Sequence, residues 1–333
     1  MSKLQMSVVE QDESGIRLDR WFKRHFPTLS HGQLEKLLRT GQVRVAGKRV
    51  ESATRLEVGQ EIRIPPQAAE SKDGKINKAE NAKKSARDAN DIKKLILFQD
   101  EDVLVLNKPA GLAVQGGTGL KNSIDHMLAA LTHTKHGKPK LVHRLDRDTS
   151  GALLVAKTPF AATRLAESFR HRETRKIYWG VTLGVPQPER GRIEVAVIKR
   201  GEKMIIVDDK DKAEEENEEA KNAITVYQNM DRAEFQAAFV AMWPITGRTH
   251  QLRVHMAFIG TPLLGDPLYG KPMPAGFPQG ELGKGLHLHA RRLIIPHPRR
   301  GVIDVTAPLG SEMKKTWKWF GFDTNADADF SEA

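Results

Sequence analysis

Between Leu141 and Lys157 the chain reads LVHRLDRDTSGALLVAK. Charge is dense in HRLDRD, and the apolar run ALLVA follows almost at once. That run predicts a strand, so Asp146 is expected near a strand entrance, where a rigid sheet can hold it. Thr149, Ser150 and Gly151 are turn formers between loop and strand. A carboxylate held in this way can attack an electrophilic carbon or stabilise positive charge that develops in a transition state. Several arginine–carboxylate pairings are open within HRLDRD, and such a loop by itself also fits a structural ion-pair cluster.

Three further segments carry side chains of interest. FRHRETRKIYWGVTL, from Phe169 to Leu183, leads from basic residues into a β-rich stretch containing Tyr178. PITGRTHQLRVHMAF, from Pro244 to Phe258, opens with a turn at Gly247. Arg248 follows, and Thr249 is the expected helix cap, with Leu252, Met256 and Ile259 on the core face. LHLHARRLII, from Leu286 to Ile295, alternates as a strand does. His287 and His289 have no third ligand at a characteristic spacing, so no metal is expected.

The elements that must position these groups fall into blocks. With 333 residues, two domains are expected. Residues 15–66 form a small basic unit; 15–64 hold 11 Lys/Arg against 5 Asp/Glu. It reads as RLDRWFKRHF, a helix with Leu18, Trp21, Phe22 and Phe26 on one side, then HGQLEKLLRT, capped by Ser30 and ended by Gly41. QVRV and KRVES flank Ala46-Gly47 as in a hairpin. Residues 67–91 hold one large aliphatic, Ile76, and no aromatic, so they read as a flexible linker. Residues 92–320 form the large domain, within which 208–221 read as a solvated acidic loop with 8 acids and 3 lysines. The acidic tail 321–333 is expected to fray.

The net charge of +11 points to a polyanion partner such as nucleic acid. The absence of cysteine removes disulfides, iron–sulfur clusters and thiolate zinc sites. No apolar run approaches the ~18 residues needed to span a bilayer. The first residues lack a signal-peptide core, so the cytoplasm is the expected location.

Residues 17–64 resemble the small RNA-binding module named after ribosomal protein S4, through RLDR from Arg17, Ser30, the helix ending at Gly41, and VRVAGK from Val43. His31 and Ala46 depart from it where Arg and Asn are usual. The resemblance implies phosphate contacts from Arg17, Arg20, Lys36, Arg39, Arg44 and Lys48. From about Leu95 to Leu309 the chain resembles the RluA family of RNA pseudouridine synthases. The matching strings are NKPAGLAV from Asn107, HRLDRDTSG from His143, KIY from Lys176, GRTHQLRVH from Gly247 and LHLHA from Leu286. Within that family it resembles the RluC group, which acts on 23S ribosomal RNA; Gln115, where His is frequent, and the acidic insert depart from it.

The resemblance implies an α+β fold: a catalytic domain on a mixed, largely antiparallel sheet with flanking helices, beside the S4-like module. It makes Asp146 the essential carboxylate and pairs it with Arg248. It gives Arg144 the task of holding a flipped nucleotide and sets Tyr178 against the uracil ring. No cofactor is expected, because the isomerisation adds no atoms and removes no electrons. RNA is the expected partner and a monomer the expected state. The alternatives are a transfer RNA target, a non-catalytic ribosome-assembly factor, and a base-excising glycosylase.

Overall fold

The computed structural model describes residues 5–26, 29–69, 78–116, 122–131, 137–207, 220–233, 236–278 and 280–330. The chain divides into two compact units, Met1–Lys83 and Lys84–Ala333.

The first unit contains β1 (Gln5–Val8), α1 (Leu18–His25), α2 (His31–Arg39), β2 (Arg44–Val45), β3 (Glu61–Ile64) and the short α3 (Pro66–Ala69). Its three strands lie in the order β1-β3-β2. Leu18, Trp21 and Phe22 of α1 meet Leu34, Leu37 and Leu38 of α2 and Ile62 and Ile64 of β3 in one core. Ser30 caps α2 as expected, its Oγ accepting from the Gln33 N–H at 3.3 Å. Ala46 and Gly47 both have left-handed φ, +47° and +78°, as a two-residue hairpin turn demands. Val45 and Lys48 exchange backbone hydrogen bonds across it. The run after Lys48 does not continue as a strand; β2 pairs with β3 instead.

The segment expected to be a flexible linker is helical wherever it is described, in α3 and in α4 (Lys78–Lys94). A count of apolar residues misses this, because Ala and Lys are strong helix formers without any core to bury. Buried Ile92 anchors the end of α4. Residues 70–77 lie outside the described residues, as do 208–219 of the acidic insert.

The second unit is built on a single mixed sheet. Its elements are β4 (Ile96–Gln99), β5 (Val103–Lys108), α5 (Ile124–Leu128), β6 (Lys140–Leu141), β7 (Ser150–Ala156), α6 (Pro159–Arg170) and β8 (Arg175–Leu183). They continue with β9 (Arg190–Arg200), β10 (Lys203–Val207), β11 (Lys221–Ala233), β12 (Ala237–Pro244), α7 (Gln251–Phe258), β13 (Leu288–Pro296), β14 (Val302–Thr306) and α8 (Ser311–Phe320). The order is β10-β9-β11-β12-β8-β13-β7-β5-β4, with β14 on β13 and β6 on β7. Neighbours are antiparallel except β13 and β7, a short parallel pair joining His289 to Ser150 and Ala290 to Gly151. This is the α+β architecture that the sequence predicts.

Alternation along β8 sorts its side chains between two cores. Ile177, Trp179 and Val181 pack with Phe239 and with Met313 and Trp317 of α8. Tyr178 points the other way, into the core that holds Leu252 and Met256 of α7 and Leu288 of β13. As far as residue 330, the tail is not frayed as its acidity suggests. Phe322 and Phe330 are buried in the α8 core, Phe330 beside Trp243, and Asp327 pairs with Arg292 at 3.4 Å. Two aromatic anchors outweigh the like charges between them. Among the described residues no helix is long and apolar enough to cross a membrane.

Candidate active site

The loop bearing Asp146 is pinned from three sides. Asp146 opens a tight turn, its carbonyl accepting from the Thr149 N–H at 3.2 Å. Next to it, the Arg147 carbonyl accepts from the Gly111 N–H and from Lys108 Nζ, each at 2.9 Å. Lys108 is fully buried and also donates to the carbonyls of Pro109 (2.9 Å) and Leu112 (2.8 Å). Burial pushes its ammonium down to about 8, while the charges of Asp148 and Asp146 pull it up. On the other side of Asp146, His143 Nε2 accepts from the Leu154 N–H at 2.8 Å. Burial, reinforced by the Lys176 charge, pushes this imidazole down to about 3, so it is a neutral acceptor near pH 7. Finally, Gly151 has φ +108°, and a Cβ there would lie 2.3 Å from the Ala290 carbonyl oxygen. Only glycine permits this approach of β7 to β13 directly after the loop.

The facing wall is the turn from β12 into α7. Thr249 does not cap this helix. The cap position is His250, held at φ +51° with no side-chain cap bond. The turn is organised by Gln251, which is buried and fully used. Its Oε1 accepts from Thr246 Oγ1 (2.7 Å) and from the Arg248 N–H (3.0 Å). Its Nε2 donates to the Ile224 carbonyl (2.8 Å) and to Thr225 Oγ1 (3.0 Å).

The two walls enclose a cavity of about 300 Å³ whose lining includes Arg144, Asp146, Tyr178 and Arg248. The four residues singled out from three separate strings thus line one cavity. Burial raises the Tyr178 phenol well above its ordinary range, and the negative charge of Asp146 raises it further. At neutral pH it therefore stays a hydroxyl and a hydrogen-bond donor.

The expected ion pair between Asp146 and Arg248 is not formed. Arg248 Nε donates instead to the Asn222 carbonyl at 3.0 Å. The buried guanidinium that feels the Asp146 charge is Arg253, also in the cavity lining. It is fixed by a bidentate pair with Asp266, at 2.8 and 2.7 Å, with side-chain exposures of 4% and 0%. Asp266 also accepts from the N–H groups of Leu268 and Tyr269. Burial pushes the Asp266 carboxyl up, but these hydrogen bonds and the Arg253 charge outweigh it and hold the group below its ordinary range.

Sequence reasoning also missed His250 and Lys176, both in the lining. His250 is hydrogen-bonded through Nδ1 to Tyr269 Oη at 3.0 Å. Burial lowers its pKa, against the pull of Asp146. Burial likewise lowers Lys176, whose ammonium lies over the Phe169 ring. The signals for all three residues were present as letters in GRTHQLRVH and RKIY, but not as geometry. His287 and His289 are elsewhere engaged: His287 with Thr316 at 2.7 Å, His289 with Ser150 at 2.8 Å and the Ala307 carbonyl at 3.1 Å.

In the first unit, Arg17 is paired with Asp19 at 2.8 Å, and Arg44 donates to the carbonyls of Gly41 and Gly47. Arg20, Lys36, Arg39 and Lys48 are exposed.

Residues 102–258 match the sequence pattern of a family described as RNA pseudouridylate synthase. The chain is 34% identical to the ribosomal large subunit pseudouridine synthase C of Escherichia coli K12, over 92% of this chain and 94% of that one. It is 31% identical to the protein of the same name from Vibrio parahaemolyticus, over 94% and 96%. Among solved structures it resembles human RNA pseudouridylate synthase domain containing 4, with a TM-score of 0.61 and 29% identity, covering 72% of this chain and 98% of that one.

Proposed function

The chain belongs to the RNA pseudouridylate synthase family, and on that premise we propose that it isomerises uridine in large-subunit ribosomal RNA, with Asp146 as the essential carboxylate. The observation that carries this reading is the cavity in which Asp146 meets the Tyr178 phenol under the charge of a fixed guanidinium, Arg253. The ribosomal target is suggested by the names of the relatives.

The reaction breaks the N1–C1′ bond of uridine, turns the base and joins C5 to C1′; a proton leaves C5 and N1 ends protonated. Asp146 stabilises or captures C1′ while the base is free. Tyr178 offers its ring as a stacking face for the uracil. The target must first leave its stack, at a cost of a few kcal/mol. Arg144, exposed at the cavity rim, is placed to hold the strand from which the base has gone. Arg248 orders the mouth of the cavity through Asn222.

Residues 15–66 act as an S4-like RNA-binding domain, and residues 92–320 as the catalytic domain. Of the six basic residues named for it, Arg20, Lys36, Arg39 and Lys48 are the freest to meet phosphates. Arg17 and Arg44 are already engaged, so they contribute less. The protein works as a cytoplasmic monomer.

Pseudouridine mapped at single-nucleotide resolution, in ribosomal and transfer RNA from cells with and without this chain, tests the target. The expected result is loss of one or more large-subunit ribosomal sites. Loss confined to transfer RNA overturns it.

A further inference from the structure

A second cavity of about 370 Å³ adjoins the first and shares Lys176 and Arg248 with it. Its charged lining is wholly cationic: Arg170, Arg172, Lys176 and Arg248, with no carboxylate among the described residues. Arg170 and Arg172 are exposed, and their side chains make no ion pair or hydrogen bond with any described residue. The Thr174 hydroxyl, in the same lining, is buried and unpartnered. An anion in this lining would relieve the repulsion among its cations and give the buried hydroxyl a partner.

The backbone at Arg172 adds a separate indication. His171 ends α6, Arg172 follows at φ +58°, and the Glu173 N–H donates back to the Ser168 carbonyl at 3.0 Å. This is the helix-ending motif whose left-handed position is ordinarily glycine, because any Cβ there is strained. Arginine at that position lowers stability relative to glycine, and no side-chain hydrogen bond or ion pair with a described residue offsets it.

We propose that this second cavity binds a backbone phosphate of the RNA strand flanking the target uridine, gripped by Arg170 and Arg172. The inference rests on the reading of the first cavity as the uridine pocket. Phosphate contacts of this kind position the strand without reading its sequence.

The test compares wild type with Arg172→Gly, Arg172→Lys and Arg170→Gln. Thermal unfolding, affinity for unmodified large-subunit ribosomal RNA transcript over a salt series, and pseudouridine formation on that transcript are measured for each. Arg172→Gly is expected to melt no lower than wild type, since glycine suits the turn. Its kcat/KM should fall roughly tenfold, the scale of one charged hydrogen bond. Its log–log dependence of affinity on salt should become shallower by about 1. Arg170→Gln should show the same two losses, and Arg172→Lys should keep the wild-type salt dependence. An unchanged salt dependence and kcat/KM in Arg172→Gly overturns the proposal. So does a lower melting temperature in Arg172→Gly, which would make the side chain structural. Failure of wild type to form any pseudouridine would instead refute the uridine-pocket reading, and is distinguishable because it appears before any substitution.

Discussion

Asp146 forms no ion pair with any described residue, yet its charge acts on Arg253, His250, Tyr178 and Lys108 together. The cavity is therefore a field built around one carboxylate rather than a closed pair. Arg253 is the anchor of that field, and Asp266 is the anchor of Arg253. Replacing Arg253 by Met strands Asp266 as a buried unpaired charge, which should cost about 3–5 kcal/mol in urea denaturation. Arg253→Met combined with Asp266→Leu removes both charges and should recover most of that stability. Pseudouridine formation should stay depressed in the double variant, which separates the two roles of the arginine. Recovery of activity along with stability would mean that Arg253 serves packing alone.

At the scale of the element, the site depends on backbone positions where only certain residues fit. Gly151 lets β7 approach the Ala290 backbone, and this contact fixes the strand that begins where the catalytic loop ends. Gly151→Ala should destabilise the larger unit by about 3 kcal/mol or more, since its Cβ would meet backbone that cannot yield. Circular-dichroism melting checks this, and an unchanged melting temperature would contradict it. The same scale explains what the sequence disclosed. The strand after Asp146 and the strand that carries Tyr178 were legible from their apolar patterns, whereas the grouping of Arg144, Asp146, Tyr178 and Arg248 came from the family resemblance. The expected pairing of Asp146 with Arg248 is not formed: His250 adopts a left-handed φ just before α7, and Arg248 Nε is engaged by the Asn222 carbonyl. That turn leaves Arg248 before the helix, with its Nε on the Asn222 carbonyl, and puts Arg253 on the first turn; both line the cavity. Nothing in the spacing of GRTHQLRVH distinguishes the two arginines. The helix α4 and the packed tail escaped for a different reason: composition averages out a few anchors, Ile92, Phe322 and Phe330, that decide whether a charged stretch is ordered.

For the whole molecule, buried neutral histidines tie stability to pH. His255 and His289 are fully buried, and burial pushes each down to about 4. In the unfolded chain they titrate near 6.5. Between about pH 4 and 6.5 the unfolded state thus binds more protons, so stability falls as the pH drops through that window. Each group contributes a slope of up to about 1.4 kcal/mol per pH unit, and almost none above pH 7. Urea midpoints should be clearly lower at pH 5 than at pH 7; equal midpoints would show that these rings are not held neutral.

Asp146→Asn removes the essential carboxylate's charge with almost no change of shape. Single-turnover pseudouridine formation on unmodified large-subunit ribosomal RNA, with RNA affinity measured in parallel, is the direct measurement. No detectable product, with affinity within about twofold of wild type, is the predicted result. Product formed at a wild-type rate by the asparagine variant would contradict it.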